Sequence, residues 1–545
     1  DIRPALPVCR RTGAAATVLM LAISGCHGST PRHAGASPSA LAVPSAVAGD
    51  PRSQATNVAL RFLAAWSGQH YTELPPLVDD QTSDVAGIYT RFAQRLGIDG
   101  ITVTPGKLDA AGTSLPYHAV LTLHGLGALP IDNTVQLAKS TSEYRVVFTS
   151  ATVFPGLTAG QRVVRTGTAV RGRLLDAAGR PLRGVDRDLD VNVLGAVSAA
   201  GHGTGGLELA LDKQLAGPSV TDVQVINPVT GQVVRRIATF GKAAAPPDVR
   251  TTLDPRLQSA ARSALAGVPG VAALVALDVT TGSVRAVANS PLTGFPPALR
   301  GSYAPGSTFK TITALAALTH GFTPASQLDC PATVTAGGKV FRNHEPGSRG
   351  RISLLTAYAQ SCNTAFVNLS QSLPKGSVTA AARMLGFDVG SPLLPIPSAG
   401  GTLPPPADTA EAAADAIGQG RVEASPLLMA SVAAAIADGS WHQPRIAACP
   451  TCTTTPLPPG AVQGLRQMMR AVVTSGTGSA LASVPGGPVS AKTGTAEYGT
   501  ATPPATHAWM IGFRGALAFA VYVETGVSGG RTAGPIAARF LRAVT

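Results

Sequence analysis

Tyr303-Ala304-Pro305-Gly306-Ser307-Thr308-Phe309-Lys310 leads into an apolar run that Gly321 is placed to end. The pattern predicts a helix over 308–318. Ser307 and Lys310 are three residues apart, so a hydroxyl and an amine sit one turn apart on the same face. Serine is a weak nucleophile at its free pKa and needs a base beside it. A lysine can be that base only if burial or a second cation depresses its pKa. Ser-x-x-Lys alone is weak, with about 0.5 occurrences expected by chance in such a composition, and it recurs as Ser372-Leu373-Pro374-Lys375. In that copy the internal proline disfavours a continuing helix and biases Leu373 towards extended geometry, so serine and lysine are not one turn apart. Ser307 is therefore the candidate nucleophile.

Two further motifs follow along the chain. Ser361-Cys362-Asn363 supplies a second hydroxyl able to relay a proton and an amide able to hold a carbonyl or amide of a ligand; by itself it also suits a helix cap. Lys492-Thr493-Gly494-Thr495 is predicted on a strand beside 509–513. Its glycine admits a ligand backbone, its lysine and threonines can grip a carboxylate, and a backbone N–H there can face an oxyanion. The chance of all three in this order is roughly half a percent. Two of only eight lysines fall within them.

The other features set limits. With 545 residues, 45% of them apolar and 13% charged, the chain can bury several cores and is not generally disordered. The 60 Gly and 44 Pro lack a collagen period. An excess of 43 Lys and Arg over 30 Asp and Glu suits an anionic membrane or polymer. No zinc-finger spacing or Lys/Arg-rich run points to nucleic acid, and the ten His form no pair suited to a metal helix.

At the amino terminus, Arg3, Arg10 and Arg11 precede a ten-residue apolar run, 14–23, too short to span a bilayer. Ile23-Ser24-Gly25-Cys26 resembles a bacterial lipobox, which implies that Cys26 carries lipid and becomes the mature first residue. Residues 27–55 are rich in Ala, Ser, Pro and Gly, as in a tether. Residues 58, 62, 65 and 66 share a helical face; 117–124 and 144–153 read as strands; 170–176 and 206–208 as short β-like pieces. A helix is expected over 254–265, strands over 273–278 and 283–288, a largely helical stretch to 478, strands over 509–513 and 518–524, and a closing helix from 535. Cys449 and Cys452 lack the second ligand pair a structural zinc needs; outside the membrane a local disulfide is expected, with two inert thiols the alternative. Cys362 reads as a small buried side chain.

Taken together, Ser-x-x-Lys, Ser-x-Asn and Lys-Thr-Gly resemble the signature of penicillin-binding proteins and serine β-lactamases. Ile417-Gly418-Gln419-Gly420, Ser425-Pro426-Leu427, Gly476-Thr477-Gly478 and His507-Ala508-Trp509 are similar to transpeptidase stretches. Arg171-Gly172, Gly206-Leu207-Glu208 and Thr252-Leu253-Asp254 resemble the pedestal of class B penicillin-binding proteins, although Ala177 stands where that motif usually has Arg. Residues 56–155 resemble, more loosely, the nuclear-transport-factor-like domain of methicillin-resistance penicillin-binding proteins. The implied chain is multidomain α+β: a lipoprotein signal peptide (1–25), a flexible linker (26–55), that small α+β domain (56–155), a β-rich dimerisation or pedestal domain (156–247), and a transpeptidase domain (248–545) with an antiparallel sheet flanked by helices.

The resemblance implies a peptidoglycan D,D-transpeptidase on the extracytoplasmic face of a bacterial membrane. Ser307 would attack the D-Ala-D-Ala carbonyl of a stem peptide, Lys310 take its proton, and Ser361 pass it to the leaving D-Ala. Asn363 would hold the substrate amide, and Lys492, Thr493 and Thr495 its carboxylate, with Gly494 between them. N–H groups of Ser307 and Thr495 would form the oxyanion hole. An amine of a second stem peptide would take the acyl group, and β-lactams would acylate Ser307. No cofactor is implied and no glycosyltransferase segment is apparent; the resemblance admits a peptidoglycan polymerase as a partner, although a lipobox in place of the usual transmembrane helix counts against coupling to one that needs that helix. The alternatives are a β-lactamase, a D,D-carboxypeptidase, or a non-catalytic sensor or scaffold. Against the β-lactamase, no Glu-x-x-Leu-Asn occurs between Ser361 and Lys492, and Asn363 stands where class D enzymes carry Val.

Overall fold

The computed structural model describes residues 50–140, 143–199, 201–242, 244, 246–390 and 392–545. The expected signal peptide, lipobox Cys26 and most of the linker lie outside them. The chain divides into two compact units, 1–163 and 164–545.

In the first unit the helix Pro51–Ser67 begins inside the expected linker, because Asp50 caps it by accepting from the Ser53 N–H and Pro51 suits its first turn. Phe62, Ala65 and Trp66 are buried along it. A second helix, Val85–Leu96, is capped by Asp84 and stopped by Gly97 at φ 66°. Four antiparallel strands follow in chain order: Ile98–Pro105, Ser114–Leu123, Gly127–Ser140 and Glu143–Val146. The expected strand over 144–153 stops at Val146. Thr149 and Thr152 form a reciprocal capping box that starts a helical turn, Ser150–Val153, and this local chemistry overrides β-branched propensity.

The second unit opens within the first strand of a three-stranded sheet, Arg162–Arg171, Ala216–Ile226 and Val233–Phe240. Residues 206–208 are helical rather than β-like: the helix Gly206–Ala210 places the Glu208 carboxylate 2.8 Å from the Arg171 guanidinium, which also meets Asp212 at 2.5 Å. The expected boundary at 247/248 is no gap in packing. Leu174, Leu194, Leu207 and Leu215 share one core with Leu253, Ala273 and Val275.

The main sheet is antiparallel, in the order Val284–Ser290, Ala272–Asp278, Leu517–Val523, Ala505–Arg514, Ser490–Tyr498. Alternate side chains serve two layers. Ala273, Val275, Leu277, Trp509 and Tyr522 join the core containing helices Lys310–Thr319 and Pro426–Asp438. Ala272, Leu274, Met510 and Val521 join a second core with helices Pro255–Leu265 and Gly534–Ala543. This is the expected antiparallel sheet flanked by helices, and its edge strand carries Lys492.

Candidate active site

Ser307 lies in a single 3-10 turn, Gly306–Phe309, and the α-helix Lys310–Thr319 starts only at the lysine. The tighter turn reflects how the segment is held. Trp509 Nε1 donates to Ala304 O (3.0 Å), Tyr303 pairs with Ala424, and Thr308 Oγ1 donates to Pro305 O (2.7 Å). The Gly306 N–H donates to Gly418 O (2.9 Å). Gly306 (φ 53°) and Gly418 (φ 76°) are left-handed, and neither has room for a side chain. A Cβ on Gly306 would stand 2.4 Å from Thr495 O, and one on Gly418 1.9 Å from Gly306 O. A Cβ on Gly494 would likewise meet Pro305 O at 2.7 Å. Backbone therefore packs on backbone around the nucleophile.

The three motifs come together through two lysines. Lys310 is wholly buried, and its Nζ donates to Asn363 Oδ1 (2.6 Å) and Ser361 O (2.8 Å), with Ser361 Oγ at 3.3 Å. Lys492, also wholly buried, donates to the same Ser361 Oγ at 3.0 Å and to Thr493 O at 2.9 Å. Each Nζ lies 5.5 Å from an aromatic ring centre, Phe366 for Lys310 and Tyr358 for Lys492. Ser307, Ser361, Asn363 and Thr495 are only half-buried. The hydroxyls and the amide thus stay partly open to solvent while the amines behind them are sealed off.

Burial, and then the cation of Lys492, pushes the Lys310 amine well below its ordinary pKa, which favours a neutral base. Burial alone brings Lys492 down to about 7. No hydrogen bond joins Ser307 to Lys310 among the described residues; such bonds often tighten only when substrate is bound. Ser307 occupies the first helical turn, where N–H groups lack intrahelical acceptors and favour negative charge.

Thr493 and Thr495 share a side of their strand. Thr493 Oγ1 is 2.6 Å from Thr477 Oγ1, and Thr495 Oγ1 accepts from the Gly529 N–H at 3.2 Å. His507 stacks on Tyr498 at 4.0 Å, and its Nδ1 is 2.8 Å from Glu524 O. Cys449 and Cys452 are disulfide-bonded. Cys362 is buried, but it is not a simple small side chain: it is bonded to Cys330. Sequence reasoning missed this pairing; the signal available was that four cysteines, an even number, remain after Cys26. It also missed Arg342, whose carbonyl accepts from Asn363 Nδ2 at 2.9 Å. Among the described residues no group of three or more His, Cys, Asp or Glu is placed to hold a metal.

Residues 272–542 match the family model for the penicillin-binding protein transpeptidase domain. The chain is similar to the peptidoglycan D,D-transpeptidase PbpA of Mycolicibacterium smegmatis, 33% identical over 403 residues, covering 62% of this chain and 78% of that one. In three dimensions it is similar to penicillin-binding protein A of Mycobacterium tuberculosis, solved as a ceftriaxone acyl-enzyme, with a TM-score of 0.56, 27% identity and coverage of 68% of this chain and 98% of that one. Penicillin-binding protein 3 of the same organism, complexed with aztreonam, matches with a TM-score of 0.56 and 25% identity, covering 69% of this chain and 96% of that one.

Proposed function

The chain belongs to the penicillin-binding protein transpeptidase family, and from that premise we infer that it is a peptidoglycan D,D-transpeptidase, a serine acyltransferase covalently inhibited by β-lactams. The observation that carries the mechanism is the convergence of Lys310 and Lys492 on the Ser361 hydroxyl.

The steps follow from it. Ser307 Oγ attacks the carbonyl of the penultimate D-Ala and gives its proton to neutral Lys310. The oxyanion is met by the N–H groups of Ser307 and Thr495, whose backbones the Gly306–Thr495 contact draws close. The C–N bond to the terminal D-Ala breaks as the proton passes through Ser361 Oγ to the leaving amine, which yields a Ser307 ester. Asn363 holds the donor's amide; Lys492, Thr493 and Thr495 hold its terminal carboxylate beside Gly494. An acceptor stem-peptide amine then forms the new C–N bond, the ester breaks, and the relay returns a proton to Ser307.

Labelling with a fluorescent penicillin followed by mass mapping tests this. The label is expected on Ser307, one per chain, persisting for many minutes. Label on another serine removes the nucleophile; sustained turnover of several per second promotes the β-lactamase.

The finer proposal adds a lipid on Cys26, an extracytoplasmic location, a nuclear-transport-factor-like fold for residues 56–155 and service to a separate polymerase. Two disulfides support an oxidising compartment, and no helix among the described residues is long and apolar enough to cross a membrane. Cys26→Ala is expected to abolish lipid attachment, read by mass spectrometry of the mature terminus; a mature start elsewhere without lipid refutes the anchor.

A further inference from the structure

The second motif sits on an awkward piece of backbone. Ser361 has φ 58°, a left-handed conformation that a non-glycine residue rarely adopts and that persists only where its surroundings enforce it. That conformation aims both the Ser361 carbonyl and hydroxyl at Lys310. The next residue is Cys362, bonded to Cys330 across 32 residues of sequence. Cys330 ends the strand Gln327–Cys330, which pairs with Gly350–Ser353 immediately before the helix Leu354–Ala359 that delivers Ser361.

The same excursion of chain holds the motif at further points. Asn363 Nδ2 donates to Arg342 O, the Thr364 N–H donates to Asn343 Oδ1 (3.2 Å), and Thr364 Oγ1 donates to Pro331 O (2.8 Å). Asn343 is itself buried and donates to Pro331 O at 2.9 Å. Hydrogen bonds thus orient Asn363 and Thr364, but on the Cys362 side the one covalent anchor is the disulfide.

We propose that the Cys330–Cys362 disulfide is a positioning clamp that keeps Ser361 in its relay geometry between Lys310 and Lys492. It acts through Ser361 and rests on the proton-relay role given to that residue above. Its effect should therefore depend on how much the leaving group needs a proton. An amine must be protonated as it departs, whereas a thiolate leaves without one.

The test compares two donors for acylation of Ser307: a peptide ending in D-Ala-D-Ala, and the same peptide with a thiolate leaving group in place of the last D-Ala. Cys330→Ala opens the clamp and leaves the motif residues intact, while Cys449→Ala opens the other disulfide as a control. Acylation by the amide donor is expected to fall about tenfold to a hundredfold in Cys330→Ala, acylation by the thioester to change less than about threefold, and neither to change in Cys449→Ala. Equal losses on both donors, or no loss on either, overturn the proposal, since a disulfide that only stabilises the fold lowers Tm without distinguishing leaving groups. Should Cys330→Ala fail to fold, the Cys449→Ala protein, in which Cys330–Cys362 is the one disulfide left among the described residues, is treated with dithiothreitol, which is removed before either donor is added. Two electrons and two protons pass to the disulfide, giving two thiols and one cyclic disulfide, and reoxidation must restore the amide rate. If the untreated wild-type protein does not acylate at Ser307 at all, the proposed function fails instead.

Discussion

Ser307-Thr308-Phe309-Lys310 and Ser372-Leu373-Pro374-Lys375 share one spacing and fold into opposites. In the first, the serine takes a tight turn at a helix start and the lysine is wholly buried among acceptors and a second cation. In the second, Ser372 ends the helix Asn363–Ser372 and its hydroxyl turns back to Leu369 O (2.7 Å), Leu373 is extended at φ −82°, ψ 150°, and Lys375 is exposed to water. The difference shows where the reactivity lies. The same four-residue spacing is common to both, but burial first, and a neighbouring like charge second, makes the Lys310 amine a base.

The strongest way to break the comparison is Ser307→Ala, which is expected to abolish penicillin labelling while Ser372→Ala leaves it intact; gel fluorescence reads both. Next comes Lys310→Ala, expected to slow acylation about 10²–10⁴-fold as loss of a general base does, against no change for Lys375→Ala in stopped-flow kinetics. Near-normal acylation in Lys310→Ala would remove the base assignment. Lys492→Met takes away the cation facing Lys310, so the Lys310 pKa rises. Because the base works only when neutral, the acidic limb of the acylation rate–pH profile should move to higher pH; a downward move contradicts the pairing. Least affected is Ser307→Ala/Pro374→Ala: removing the proline lets the decoy helix continue, yet Lys375 stays in solvent, and Ser372 is expected to remain unlabelled by mass mapping.

The elements that could be read from the sequence were those governed by local chemistry. The three motifs, the helix Pro255–Leu265 behind Asp254 and the short, almost continuously apolar strands of the main sheet carry their signals in neighbouring residues. What was missed depends on long-range partners. Nothing near Gly206 says that Glu208 must reach Arg171, 37 residues away, from a helical turn. Nothing near Cys362 identifies Cys330 as its partner, and the left-handed Ser361 follows from contacts with Lys310 and Tyr358 rather than from its own preference. The strand expected over 144–153 ends early for a local reason: two threonines three apart cap a helix better than they extend a strand.

The contact of Gly306 with Thr495 O, of Gly418 with Gly306 O and of Gly494 with Pro305 O limits how this protein could escape an antibiotic. An inhibitor-excluding mutation usually adds bulk where the drug sits, but at these three positions even one methyl group collides with main chain that has no rotamer to yield. The backbone around the nucleophile is closed to that kind of adaptation. Selection under β-lactam pressure is left with the half-buried residues around it, such as Thr495.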